Sequence, residues 1–145
     1  MEVIKFYEAS GEYGWMSNFA PYAIKMKGRR WPTVEHYYQA QKHAGTPLER
    51  EIRKAASPKV AARMGRNRRH ALRPDWESVK DSIMHQAVRA KFTQHAELRE
   101  LLLATGDARI VEHTERDAYW GDGGDGSGMN MLGRILMRVR EELND

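Results

Sequence analysis

At Trp31-Pro32-Thr33 the hydrophobic pattern of the chain changes period. Before this point the apolar runs are short and alternate. Val3, Ile4 and Phe6 suggest a short strand, and Tyr22, Ile24 and Met26 alternate with Ala23, Lys25 and Lys27, the period of a half-buried strand. Gly11, Gly14 and Pro21 punctuate the connection between them, and Gly28 ends the second run. After it, the period is helical. Pro32 loses no interior hydrogen bond at a helix start and Thr33 supplies a cap, so Val34 to His43 reads as a helix closed by Gly45 and Pro47. Pro47 to Ala56 and Pro58 to Gly65 read as two shorter helices. The longest runs from Asp75, its expected cap, to about Gln94, with Trp76, Val79, Ile83 and Ala87 on one face. Glu97 to Ala104 reads as a helix stopped by Gly106, Ala108 to Glu112 as a strand, and the stretch from about Asn130 as an amphipathic helix. These elements predict a mainly helical α+β fold, one compact domain over residues 1–145 with a small β-sheet.

The composition narrows the function classes. A hydrophobic content of 41% suits a globular core, and no window approaches the ~18 apolar residues of a membrane span. Cysteine is absent, which removes disulfides, thiolate metal sites and a cysteine nucleophile and agrees with a cytoplasmic location. The six histidines show no HExxH or HxH spacing, so no metal is expected. The charge is unevenly placed. No Asp or Glu lies between Ile52 and Pro74, whereas that stretch carries Arg53, Lys54, Lys59, Arg63, Arg66, Arg68, Arg69 and Arg73. Such a run is either a solvated face or an anion site, because guanidinium forks match phosphate oxygens. The field would also attract a nucleic-acid backbone.

Two segments carry groups suited to chemistry. In Trp31 to Lys42, WPTVEHYYQAQK, Glu35 and Lys42 fall on one helix face with Tyr38 and Gln39 between them. Val34, Tyr37 and Gln41 form a separate core-facing stripe, which leaves Glu35 at a cleft edge as a candidate acid or base. The second segment is DAYWGDGGDGSGMNMLG, Asp117 to Gly133. Its GxGxxG match lacks the βαβ context of a dinucleotide fold, and it has neither a Walker lysine nor the closing Glu of a calcium loop. It reads as a glycine-dense loop entering a helix N-terminus, where backbone amides suit an anion. Trp120 beside it has the ring for stacking on a base or sugar.

Taken in order, these segments resemble the NADAR family and, within it, the YbiA-like N-glycosidase branch. The resemblance is carried by YGWMSNF (Tyr13 to Phe19), WPTVEHYYQAQK, AASP (Ala55 to Pro58), AARMGRNR (Ala61 to Arg68), DWESVK (Asp75 to Lys80), Lys91-Phe92, Val111-Glu112 and the glycine block through Arg134. It implies a mainly helical YbiA-like fold without metal or organic cofactor. It also implies hydrolysis of the bond between a nitrogen and ribose C1, in ribosylaminopyrimidine 5'-phosphates of the riboflavin pathway. The partner is then a small phosphorylated N-riboside.

Carried over by position, Glu35 is the motif glutamate and the expected catalytic acid/base. Lys42, the motif lysine, is expected to be catalytic with it, either by depressing the pKa of a nearby carboxylate or by trapping an opened sugar as a Schiff base. Asp117 would orient the sugar, with Trp76 and Trp120 flanking the base or ribose. Asn18, Tyr38, Gly121, Gly123 and Asn130 complete the expected substrate contacts, and Arg63, Arg66 and Arg68 or the glycine loop would hold the phosphate. Two other readings compete. One is removal of ADP-ribose from guanine in nucleic acid, an activity of other branches of the family. The other is a non-catalytic module binding ADP-ribose-like ligands, which has no use for Glu35 and Asp117.

Overall fold

The computed structural model describes residues 2–144. Close contacts divide the chain into two units, one made of the segments up to Ala20 and from Phe92 onward, the other of Pro21–Lys91.

In the first unit, β1 (Val3–Phe6) pairs in parallel with β4 (Arg109–Glu112), Ile4 facing Ile110 across the ladder. Ile4 and Phe6 are buried while Val3 and Lys5 are exposed, as a one-sided strand requires. Around this pair stand α5 (Ala96–Ala104) and α6 (Met131–Leu143), whose Leu98, Leu102, Leu132, Leu136 and Val139 fill the core. A single 3-10 turn spans Gly14–Met16.

In the second unit, β2 (Ile24–Met26) and β3 (Arg29–Trp31) form an antiparallel hairpin. Its central residues Lys27 and Gly28 both have positive φ, 57° and 70°, the backbone of a two-residue hairpin turn. The two runs expected to share a sheet therefore pair elsewhere: β2 with a neighbour too short and too charged to show alternation, β1 with a strand far along the chain. Three helices follow. Helix α1 (Val34–Gln41) ends sooner than His43 because its last turn tightens, with His43 N donating to Ala40 O at 3.0 Å. Helix α2 (Pro47–Arg53) stops short of Ala56, since Ser57 must be extended (φ −153°) before Pro58 and so cannot continue it. That Ser57 caps α3 (Pro58–Gly65), its side chain accepting from Val60 N at 3.1 Å.

Helix α4 (Trp76–Gln94) contains the boundary between the units. Asp75 starts it through its carbonyl, which accepts from Val79 N at 3.2 Å, but not through its side chain. Both Asp75 oxygens are taken by the Arg73 guanidinium at 2.6 and 3.1 Å, which holds the carboxyl below its usual range. No helix among the described residues is long and apolar enough to cross a membrane.

Candidate active site

Helix α1 carries the first group of expected site residues. Thr33 caps it as expected, accepting from His36 N at 3.1 Å, and its hydroxyl also meets His36 Nδ1 at 2.8 Å. The other ring nitrogen of His36 lies 3.0 Å from Ala55 O. Burial lowers the His36 pKa, so a neutral ring locks the helix start. Every residue from Val34 to Gln41 is buried. The two-faced helix expected from sequence is thus sheathed all round, and Glu35 is only 6% exposed instead of standing at an open edge. Burying so many polar groups is costly unless they bond. Gln39 Nε2 donates to Glu35 Oε2 at 2.7 Å, and Gln41 joins Lys27 and Glu49 in a second cluster.

Lys42 follows directly. Its ammonium lies over the Tyr38 ring, 5.5 Å from the centroid, and Tyr38 packs against the buried Trp76 at 5.2 Å. Burial holds Lys42 below the usual lysine range. Glu35 pulls the other way, while Arg66 and Lys80 add to the fall. Glu35, Arg66 and Lys80 each lie within electrostatic reach of Lys42. All three arginines expected to hold a phosphate are exposed, and of them only Arg66 acts on Lys42. Arg73 N donates to Lys42 O at 2.9 Å, and His43 Nδ1 meets Ala71 O at 3.2 Å, fastening the basic loop to the end of α1. Lys80, which the sequence did not single out, comes one turn after Trp76 on α4 and is bridged to Glu77 at 2.8 Å.

The first unit holds Asn18 and the glycine loop. Asp117 Oδ1 accepts from Tyr119 N and Trp120 N at 2.9 and 2.8 Å, and Trp120 meets Tyr119 edge-on at 5.0 Å. Gly121 is needed here for close approach, because a Cβ would come within 2.7 Å of Thr114 Cγ2 and 2.8 Å of Asp117 O. Much of the loop's amide supply is spent internally. The N–H groups of Asp122, Gly123, Gly128, Met129, Asn130, Met131 and Leu132 all donate to carbonyls of residues 112–122. Asn130 bonds Ile110 O and Glu112 N with its side chain, clasping β4 to the start of α6. Asp122 accepts from His113 Nδ1, Thr114 N and Gly124 N at 2.8, 3.0 and 2.8 Å. Burial pushes its pKa up, but these bonds outweigh burial and leave it lowered.

Among the described residues no cluster of His, Asp or Glu is placed to hold a metal ion. A hollow of about 700 Å³ between α5 and α6 is lined by Arg134, Arg138 and Arg140, and by none of the expected catalytic or substrate-binding residues.

The NADAR domain model matches residues 5–144. The chain is 60% identical to N-glycosidase YbiA of Escherichia coli (strain K12), over 97% of this chain and 88% of that one. It is 46% identical to a riboflavin biosynthesis protein of Vibrio vulnificus, over 98% of this chain but 39% of that longer protein. The NMR structure of the E. coli protein YbiA superposes with a TM-score of 0.91 at 59% identity, covering 99% of this chain and 85% of that one. With a family match over nearly its whole length, the chain belongs to the NADAR domain family.

Proposed function

We propose that the protein, an N-glycosidase, hydrolyses the bond from ribose C1 to the amino nitrogen of a ribosylaminopyrimidine 5'-phosphate. The products are ribose 5-phosphate and the free aminopyrimidine. The observation that carries this reading is the buried Glu35 carboxylate in electrostatic reach of a Lys42 whose charge burial disfavours. In the proposed step, Glu35 takes a proton from water as the water oxygen bonds to C1. The C1–N bond breaks with its electron pair on nitrogen, and the proton held by Glu35 passes to that nitrogen. Positive charge developing on the sugar is offset by the acidic side chain. Lys42, Arg66 and Lys80 supply the cations for the phosphate. Trp76 and Tyr38 form the aromatic floor beside Lys42. Asp117 and Trp120 keep, as proposals, the sugar-orienting and stacking roles that the resemblance implies. The names of relatives at 60% and 46% identity support both the bond type and the pathway.

The test is a paired turnover assay of the protein and its Glu35→Gln variant. One tube holds a ribosylaminopyrimidine 5'-phosphate and the other an ADP-ribosylated guanine oligonucleotide. The expected result is ribose 5-phosphate from the first tube alone. Turnover should fall at least ~100-fold in Glu35→Gln, the scale of a lost general acid/base. Full activity in that variant removes Glu35 from the mechanism. Release of ADP-ribose from the second tube alone makes the chain a nucleic-acid de-ADP-ribosylase instead.

A further inference from the structure

One buried atom near Glu35 is out of keeping with the rest of α1. Gln39 is 2% exposed and its Nε2 donates to Glu35 Oε2 at 2.7 Å, yet its Oε1 has no hydrogen-bond partner. A buried amide oxygen left without a donor is costly, and native folds seldom tolerate it without cause. The neighbouring helix is shaped to the same amide. At Gly65, in the last turn of α3, a Cβ would stand 2.2 Å from Gln39 Oε1 and 2.7 Å from Gln39 Cβ. Any side chain at 65 would displace the amide. Glycine there costs α3 helix propensity, and in return leaves a recess the amide fills.

A carboxylate only accepts hydrogen bonds, whereas a carboxylic acid donates one. A primary amide does both, and half a turn of its end group exchanges the donor for the acceptor. We propose that Gln39 is a positioning residue for Glu35, turning its amide in the Gly65 recess so that Glu35 stays hydrogen-bonded both with and without its proton. In the ionised state N–H donates to Oε2, the arrangement observed. In the protonated state the otherwise vacant Oε1 receives the Glu35 O–H. Glu35 then has a fixed rotamer on both sides of a proton transfer and loses no bond in either. The proposal rests on the reading of Glu35 as the acid/base. It adds what makes that role repeatable.

Three variants test it in the ribose 5-phosphate assay, each verified as folded by its NMR amide spectrum. Gln39→Met keeps the shape and removes both hydrogen-bonding functions. Gln39→Asn keeps a buried amide but is one methylene short of Glu35, which guards against a folding failure of the first. Gly65→Ala leaves Gln39 in place and closes its recess. All three should lower kcat at least ~10-fold with KM within about twofold, since the loss is in the reacting geometry and not in substrate binding. Gln41→Met, in the Lys27–Glu49 cluster on the same helix, should leave kcat within about twofold. If Glu35→Gln is inactive but both Gln39 variants turn over normally, Glu35 keeps its role and the positioning proposal is overturned. A raised KM with unchanged kcat also overturns it, because Gln39 would then be touching substrate. Activity in Glu35→Gln, in contrast, brings down the reading beneath it.

Discussion

The glycine loop and helix α1 each bury charge, and they settle it in opposite ways. Asp122 in the loop receives three donors, and their combined pull outweighs the penalty of burial, so the carboxylate is held ionised. At two lysines, one of them directly after α1, burial wins. Lys42 lies below the ordinary lysine range despite the attraction of Glu35, and Lys91, at 1% exposure on α4, is pushed down to about 7 by burial alone. A group whose bonds are all made has one stable state and serves as architecture. A group whose charged form burial disfavours lies nearer to a change of protonation state, and such groups gather where protons are transferred. The glycine loop, densest in motif residues, is thus the more structural of the two regions by this criterion.

The largest effect that separates them is at Asp122. Asp122→Ala removes one acceptor from three donors and should cost about 3 kcal/mol of stability, the scale of breaking a buried charged network. Its pH dependence has a definite sign. Because the folded carboxyl is depressed, the contribution is complete above the unfolded value of about 3.9 and fades as pH falls through the folded one. Melting temperatures of the two proteins, well apart at pH 7, should converge below about pH 4. A constant gap down to pH 2 would mean that Asp122 matters by shape and not by charge.

Lys91 gives the opposite slope. Between about 7 and the ordinary lysine value near 10.4, the unfolded chain holds a proton that the folded chain does not. Stability should therefore rise with pH across that window, by up to ~1.4 kcal/mol per unit, and show no such slope below pH 7. Urea titrations at pH 6.5, 8 and 9.5 read this directly. Lys91→Met should flatten the curve, and parallel slopes in the two proteins would show that Lys91 is charged in the fold.

How far these differences were legible in the sequence depends on range. The start of α1 was readable because Pro32 and Thr33 are local signals, and the clustering of Glu35, Gln39 and Lys42 follows from helical spacing alone. The mainly helical α+β class was readable for the same reason, and it matches the YbiA structure. Burial of the polar face of α1 was not readable. It depends on residues far along the chain, Gly65 of α3 abutting Gln39 and Trp76 of α4 packing on Tyr38. The fit of Gln39 to Gly65 joins two helices whose sequences each look ordinary. The short strand β3 was hidden because Arg29 and Arg30 carry no apolar alternation. Asp122 stood in the glycine-dense loop with no role of its own, since nothing local says that Thr114 N and Gly124 N converge on it. Asp75 was legible as a helix start but not as the clasp of Arg73, a pairing that competes with capping only once the loop is folded.

The smallest effect decides how the basic run is used. Three of its members already have structural work: Arg73 fastens the loop, Arg53 lies over the Trp31 ring at 5.9 Å, and Arg66 closes α3 as its C-cap. Of Arg63, Arg66 and Arg68, only Arg66 perturbs Lys42. A phosphate held there should make Arg66→Ala raise KM about tenfold, the loss of one charge-assisted pair near 1.4 kcal/mol, with kcat nearly unchanged. Arg63→Ala and Arg68→Ala should stay within about twofold, because neither shifts Lys42 and salt screens an exposed cation that makes no direct contact with the ligand. A nucleic-acid substrate would reverse that ranking. A polymer backbone would engage all three arginines, each substitution would weaken binding by a similar factor, and each would reduce the dependence of affinity on salt. Measuring KM for the three variants at two salt concentrations therefore separates a single phosphate beside Lys42 from a charged track along the loop. Only the first outcome keeps the anion site within the polar cluster around α1.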